Sequence, residues 1–198
     1  YYTLLRCENL TGEKPWSEAW VMGYGLDEKG MKMSKSKGNA LDPLPIIEKF
    51  GADTFRFWSA SEVNHGSDFR CSEQKIDSTK KFLTKLWNVS RFLSSFPIIE
   101  SAELADTDKW IISELDKLVK DCKVGFDQYN FFIPATAIRE FTWNVFAAQY
   151  IEMAKARAYG IDFSEAERDA AIYTLHKVLS TLLKLLAPIT PYITDFLW

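Results

Sequence analysis

The chain has 198 residues, of which 47% are hydrophobic, and this is enough to bury the core of one large domain or two small ones. Its 24 Lys and Arg residues are outnumbered by 27 Asp and Glu residues, so the net charge of −3 excludes nucleic-acid binding through bulk positive charge. Three separated cysteines argue against a disulfide framework or a cysteine zinc site. The cysteines favour reduced thiols, so we expect a cytoplasmic protein. No apolar run approaches the ~20 residues of a transmembrane helix, so we expect no membrane contact.

The N-terminal part of the sequence predicts a small mixed α/β unit. A helix over residues 1–11 ends at Gly12, and residues 19–24 form a short β-prone run. A turn signal at residues 27–30 follows directly.

Two short helices come next. Asp42 is predicted to cap the first, which has Pro43 at its first position and ends at Gly51. Asp53 is predicted to cap the second, and the polar residues 62–72 are predicted to be irregular.

From residue 72 onward, apolar residues recur at spacings of three and four, which predicts long amphipathic helices and no strand. Five helices are predicted, of which the first ends at Pro97 and the second has an apolar stripe from Ile111 to Phe126. The third runs from Asn130 to Gly160. The fourth begins with a capping box at Ser164–Glu167 and ends at Pro188, and the fifth begins at Thr190. The predicted fold is mainly α, with a small α/β unit at residues 1–71 and a helical bundle at residues 72–198.

Both ends of the sequence lie within helical patterns. The chain begins without Met, and its apolar pattern is still continuing at Trp198. We therefore expect a segment of a longer protein.

Residues 30–39, GMKMSKSKGN, concentrate lysines, serines and glycines in a stretch that suits neither a helix nor a strand. One interpretation is a solvated surface turn. The other is an anion-binding loop, in which Lys32, Lys35 and Lys37 face a polyphosphate while the glycines let the backbone approach. Neither a Walker loop nor a dinucleotide fingerprint is present.

Lys32–Ser36 reads KMSKS without interruption, and it resembles the signature loop of class I aminoacyl-tRNA synthetases. The flanking residues resemble the continuation found in the valine, isoleucine and leucine enzymes: Gly38-Asn39, Pro43, Gly51-Ala52-Asp53 and Arg56. The resemblance covers essentially the whole chain.

Within that family, several runs resemble the valine-specific members. These are Lys85–Phe92 (KLWNVSRF), Phe141–Asn144, Tyr150–Glu152 and Lys155, with the more widely shared Ala187–Thr194. Residues 145–148 depart from the pattern, because the family often has a cysteine and an acidic residue there. The isoleucine-specific members stay as an alternative, and so does a non-catalytic tRNA-binding helical module.

The resemblance implies a ligase that activates valine with ATP, accompanied by Mg²⁺, and esterifies the amino acid to its tRNA. Lys32 and Lys35 would be the catalytic residues, and Lys32, Ser34, Lys35 and Ser36 would bind ATP. No residue of this chain is expected to bind a metal itself, and a monomer is expected. The second family signature, HIGH, is absent from the sequence, so we expect this chain alone to be inactive.

The resemblance also implies that the helical part, truncated at its C-terminus, is an anticodon-binding domain. Five basic residues on its first helix are candidate tRNA contacts: Lys75, Lys80, Lys81, Lys85 and Arg91. A solvated helix face is the alternative for each of them. The aromatic residues Tyr129, Phe131 and Phe132 could stack on unpaired bases, but we expect them to lie in the core.

Overall fold

The computed structural model describes residues 2–198. Its elements, in chain order, are α1 (Tyr2–Thr11), β1 (Gly25–Leu26), α2 (Pro43–Phe50), α3 (Ala52–Glu62), β2 (Phe69–Arg70), α4 (Glu73–Leu93), α5 (Asp106–Asp127), α6 (Phe132–Glu140), a π-helical segment (Phe141–Tyr150), α7 (Ile151–Ala158), α8 (Glu165–Leu186) and α9 (Pro191–Leu197). The predicted mainly α architecture is confirmed.

Helices α4 to α8 enclose one apolar core. Fully buried side chains from each long helix meet there, including Leu86, Ile111, Ile138 and Leu182. In α8, Leu175, Leu179, Leu182 and Leu186 are buried at helical spacing. Ser164 caps that helix by accepting a hydrogen bond from the Glu167 amide at 3.3 Å. Since periodicity and capping are local signals, both were readable from the sequence.

The run predicted from Asn130 to Gly160 is continuous, but its middle third has π-helical hydrogen bonding. Here the backbone bonds reach one residue further than in an α-helix. Apolar periodicity does not distinguish the two forms, so the sequence predicted only a helix.

The predicted strand at residues 19–24 was wrong. Only Met22 forms an isolated bridge there, to His65, and the strand lies at β1. β1 pairs in parallel with β2, with Gly25 opposite Phe69, although the sequence predicted irregular structure around β2. Two-residue strands depend on a distant partner, which explains why local patterning missed them.

Helix α3 connects the small N-terminal unit to the bundle. Asp53 was predicted to cap α3, and this was wrong, because Gly51 occupies that position and the Asp53 carboxylate accepts from the Ile193 amide of α9 at 2.6 Å. Arg56 donates to the carbonyls of Ile189 and Pro188 at 2.8 and 3.0 Å. Both side chains therefore fasten α3 to the corner between α8 and α9.

Within residues 2–198, no helix is both long and apolar enough to cross a membrane.

Candidate active-site loop

The lysine-rich loop follows β1 and begins with a tight turn. The Gly30 amide donates to the Asp27 carbonyl at 2.9 Å, and Gly30 has φ of +80°, a conformation that favours glycine. The Asp27 carboxylate accepts from the amides of Lys29 and Met31 at 3.0 and 2.8 Å. This turn directs the chain back past β1, where Met33 donates its amide to the Gly25 carbonyl at 3.0 Å.

The side chain of Asn39 crosses the base of the loop. Its oxygen accepts from the Ser34 amide at 3.0 Å, and its nitrogen donates to Asp27 at 2.9 Å and to the Lys32 carbonyl at 3.3 Å. The pKa of the Asp27 carboxyl is lowered, mainly by the hydrogen bond from Asn39 and next by the hydrogen bond from the Met31 amide. The base of the loop is therefore held by polar contacts.

Met33 anchors the loop from beneath. It packs against a small apolar cluster made of Ile46, Trp58, Cys71 and Ile76, with partly buried Leu41, Phe50, Phe55 and Phe69 around them. Met33 points inward while its neighbour Lys32 is exposed, because alternate residues of an extended segment face opposite sides.

The structure brings Lys32, Ser34, Lys35 and Ser36 together on this turn. The Lys32 ammonium lies 3.6 Å from the centre of the Tyr24 ring, an exposed cation–π contact of about 0.5–1 kcal/mol. Ser34 and Ser36 have their hydroxyl oxygens 3.3 Å apart. Among residues 2–198, no ion pair or side-chain hydrogen bond involves the Lys35 ammonium.

The basic residues of α4 are not arranged as one stripe. Helical periodicity places Lys80 and Arg91 on one side of α4, and Lys81 and Lys85 on another. Lys75 forms an ion pair with Glu62 of α3 at 2.5 Å. Of the five candidate tRNA contacts, Lys75 is therefore already paired within the chain.

The aromatic residues near the start of α6 are only partly buried. Tyr129 is 58% exposed, so the expectation that it lies in the core was wrong. Phe131 and Phe132 are half-buried, and Phe131 packs against the edge of the bundle core. Tyr129 has φ of +55°, a left-handed conformation that is uncommon for residues other than glycine, in the turn between α5 and α6.

Sequence reasoning missed a buried polar network between α5 and α7. The fully buried Asp108 accepts from Arg157 at 2.5 and 2.9 Å, from the Tyr150 hydroxyl at 2.6 Å and from the Ala105 amide at 3.1 Å. Burial and the Asp108 carboxylate raise the pKa of Tyr150. The Asp108 pKa is lowered, because hydrogen bonds from Arg157 and Tyr150 outweigh the opposing effect of burial.

Among the described residues, titratable side chains do not cluster in a way that suits a metal ion. Within residues 2–198, no group of three or more His, Cys, Asp or Glu side chains could hold one.

Comparison with known families gives the class of the chain. Residues 2–72 match the family "tRNA synthetases class I (I, L, M and V)", and residues 108–198 match the "Anticodon-binding domain of tRNA ligase". The chain belongs to the class I tRNA synthetases.

Curated relatives of the chain are valine–tRNA ligases. The enzyme from Pyrobaculum aerophilum is 44% identical over 201 residues, and the one from Aeropyrum pernix is 40% identical over 200 residues. These alignments cover 100% and 98% of this chain but only 25% and 24% of the relatives. The chain thus spans about a quarter of the length of the relatives it matches.

Solved structures of the same class share the fold. A LeuRS–tRNA–LeuAMS ternary complex of Agrobacterium radiobacter aligns with a TM-score of 0.70 at 21% identity, covering 100% of this chain and 24% of that one. A Mycobacterium tuberculosis methionyl-tRNA synthetase bound to methionyl-adenylate aligns with a TM-score of 0.74 at 24% identity, covering 88% and 36%.

Proposed function

We propose that this chain is the part of a longer valine–tRNA ligase that supplies the KMSKS loop and the anticodon-binding bundle. The observation that carries the proposal is a KMSKS turn that is fixed at its base and leaves Lys32 and Lys35 exposed. The similarity to valine–tRNA ligases along the whole chain supports the choice of amino acid.

The proposed chemistry begins with attack of the valine carboxylate on the α-phosphorus of ATP. Pyrophosphate leaves, and negative charge grows on its oxygens. Lys35 and Lys32 would meet this charge with charge-assisted hydrogen bonds, and Ser34 and Ser36 would add hydroxyl donors. Lys32 can turn to the phosphates at little cost, because its present contact with Tyr24 is weak.

ATP would bring Mg²⁺ with it, bound to the phosphate oxygens. The ion neutralises phosphate charge when bound, whereas the side chains of this loop orient the phosphate groups. We propose that the protein acts in the cytoplasm as a monomer.

The helical part would bind the tRNA. Lys80, Lys81, Lys85 and Arg91 are available on α4, and Lys75 would first have to leave Glu62. We also propose that the chain divides into two domains between residues 71 and 72, and that α3 connects them.

Aminoacylation by the full-length protein with valine, isoleucine and leucine in parallel tests this proposal. We expect valine to be charged at least ~100-fold more efficiently than the other two, in line with the discrimination such pockets achieve. Preferential charging of isoleucine would instead favour the isoleucine-specific members. No charging of any of the three would favour the non-catalytic tRNA-binding module.

A further inference from the structure

The two halves of the KMSKS loop differ in how they are held. Lys32 and Ser34 have their backbone bonded by Asn39, and Met33 lies between them in an apolar cluster. Lys35–Lys37 form an exposed 3₁₀ turn that ends at Gly38. Its hydrogen bonds stay within the loop, because the Lys37 amide donates to the Ser34 carbonyl at 3.2 Å and the Gly38 amide donates to the Lys35 carbonyl at 3.1 Å.

A glycine ends the free half. Gly38 has φ of +67°, and a Cβ placed on it would meet no atom within 4 Å. Asn39 follows immediately, and its side chain bonds back to Lys32 and Ser34 in the held half. Gly38, a residue type with few backbone restrictions, therefore lies directly between the free turn and Asn39.

Asp27 completes the arrangement. One of its carboxylate oxygens accepts from Asn39, and the other accepts the backbone amides of Lys29 and Met31. Asn39 is thus oriented by a group that is itself fixed by the turn after β1. An amide held in this way presents its oxygen to Ser34 and its nitrogen to the Lys32 carbonyl at the same time.

We propose that Asn39, oriented by Asp27, is a positioning residue that fixes the backbone at Lys32 and Ser34, so that only Lys35–Gly38 moves when the loop closes on the triphosphate. This inference rests on the proposed function. It assigns different tasks to the two lysines: the backbone of Lys32 stays in place while its side chain turns to the phosphates, and Lys35 is carried in by the mobile turn. Asn39 itself does not contact the phosphates.

A role exchange between the two side chains tests the pairing. Asn39→Asp places two carboxylates against each other, and Asp27→Asn places two amide nitrogens against each other, so each single change removes the bond between residues 27 and 39. In the double variant, an amide at position 27 donates to a carboxylate at position 39, which still accepts the Ser34 amide. The double variant therefore restores the bond between residues 27 and 39 with its direction reversed, but it still lacks the bond to the Lys32 carbonyl, which a carboxylate at position 39 cannot donate.

Valine-dependent pyrophosphate exchange by the full-length protein is the first measurement. We expect kcat to fall about 10- to 100-fold in Asn39→Asp, as for the loss of hydrogen bonds that involve a charged group. The KM for ATP should change less than about threefold, because the lysines act mainly in the transition state. The double variant should recover in part, to a kcat at least about threefold above that of Asn39→Asp, because the bond between residues 27 and 39 returns while the bond to the Lys32 carbonyl does not.

The transfer of valine from preformed adenylate to tRNA separates positioning from general damage. Pyrophosphate has already left before that step, so a positioning role predicts a rate within about threefold of the parent. A misfolded variant would lose both steps together. Asn144→Ala is the matched control, since Asn144 is an exposed asparagine bonded to Glu140 and distant in sequence from the loop.

Hydrogen–deuterium exchange over residues 32–38 is the second measurement and does not depend on activity. We expect Asn39→Ala to speed exchange at Ser34 at least ~10-fold and to leave Gly38 unchanged. Unchanged deuterium exchange at Ser34, normal kcat in Asn39→Asp, or a double variant no faster than Asn39→Asp would each overturn the inference. A parent protein without valine-dependent pyrophosphate exchange would refute the proposed function. The deuterium exchange at Ser34 would still decide whether Asn39 holds the loop.

Discussion

The KMSKS loop and the helical bundle differ in the exposure and pairing of their charged side chains. In the loop, Lys32 and Lys35 are exposed, and polar side chains hold the backbone that carries them. In the bundle, Asp108 and Arg157 are buried and bonded to each other, and apolar packing surrounds them. The loop leaves its charges free for a ligand, whereas the bundle neutralises its charges internally, and substitutions should therefore affect chemistry in the first region and stability in the second.

The largest expected effect on stability is in the buried network. Asp108→Ala leaves the Arg157 guanidinium buried without its carboxylate, and we expect the free energy of unfolding to fall by about 3–5 kcal/mol. Urea unfolding of the 198-residue chain measures this. Asp106→Ala is the control, because the Asp106 side chain is fully exposed, and its removal should cost under about 1 kcal/mol. Equal losses in the two variants would show that the network does not stabilise the bundle.

The largest expected effect on chemistry is in the loop. Lys35→Ala in the full-length protein should slow valine activation by about 10²–10³, equivalent to ~2.7–4 kcal/mol, because a donor to the developing charge is lost. Pyrophosphate exchange measures the rate, and the melting temperature should stay unchanged. Lys37→Ala is the control, since Lys37 lies outside the signature, and a rate within a few-fold of the parent is expected. Activation by Lys35→Ala at that same level would remove Lys35 from the mechanism.

The pH dependence of stability should follow the buried carboxylate. The folded-state pKa of Asp108 is lowered, so its stabilising contribution is complete above the unfolded value of about 3.9 and is lost as the pH falls through the folded value. Unfolding free energies measured from pH 6 downward should therefore decrease most steeply below about pH 4. Asp108→Asn should give a shallower decrease, and an identical slope would assign the acid sensitivity to other carboxylates.

The smallest expected effect concerns a single helix end in the bundle. Ser164→Ala removes the cap of α8, and we expect a loss of about 1 kcal/mol. Thermal or urea unfolding measures it. Ser78→Ala is the control, because its exposed hydroxyl bonds only to the Lys75 carbonyl within α4, and replacement by a better helix former should cost nothing. A Ser164 effect no greater than that of Ser78 would contradict the importance of the cap.

The features that the sequence predicted correctly depend on local contacts, and those that it missed depend on contacts between distant residues. Each of the five helices predicted after residue 72 is present, and so are the cap at Asp42 and the capping box at Ser164. The KMSKS residues were identified from their order alone. Asp53 shows the opposite case, since an aspartate at the start of a helix predicts a cap for that helix, yet its carboxylate binds a helix 140 residues away.

The sequence by itself determined the helices, their ends and the loop that carries the candidate catalytic lysines, because these depend on residues within a few positions of one another. Only the tertiary structure decided that Arg157 is buried against Asp108, that Arg56 fastens α3 to the bundle, and that Asn39 and Asp27 hold the base of the loop. Each of these pairings satisfies a polar group through a partner brought close by folding. A buried or half-buried polar group needs a hydrogen-bond partner, and the fold can supply that partner from a residue far away in the sequence. The residues next to such a group therefore do not reveal its partner.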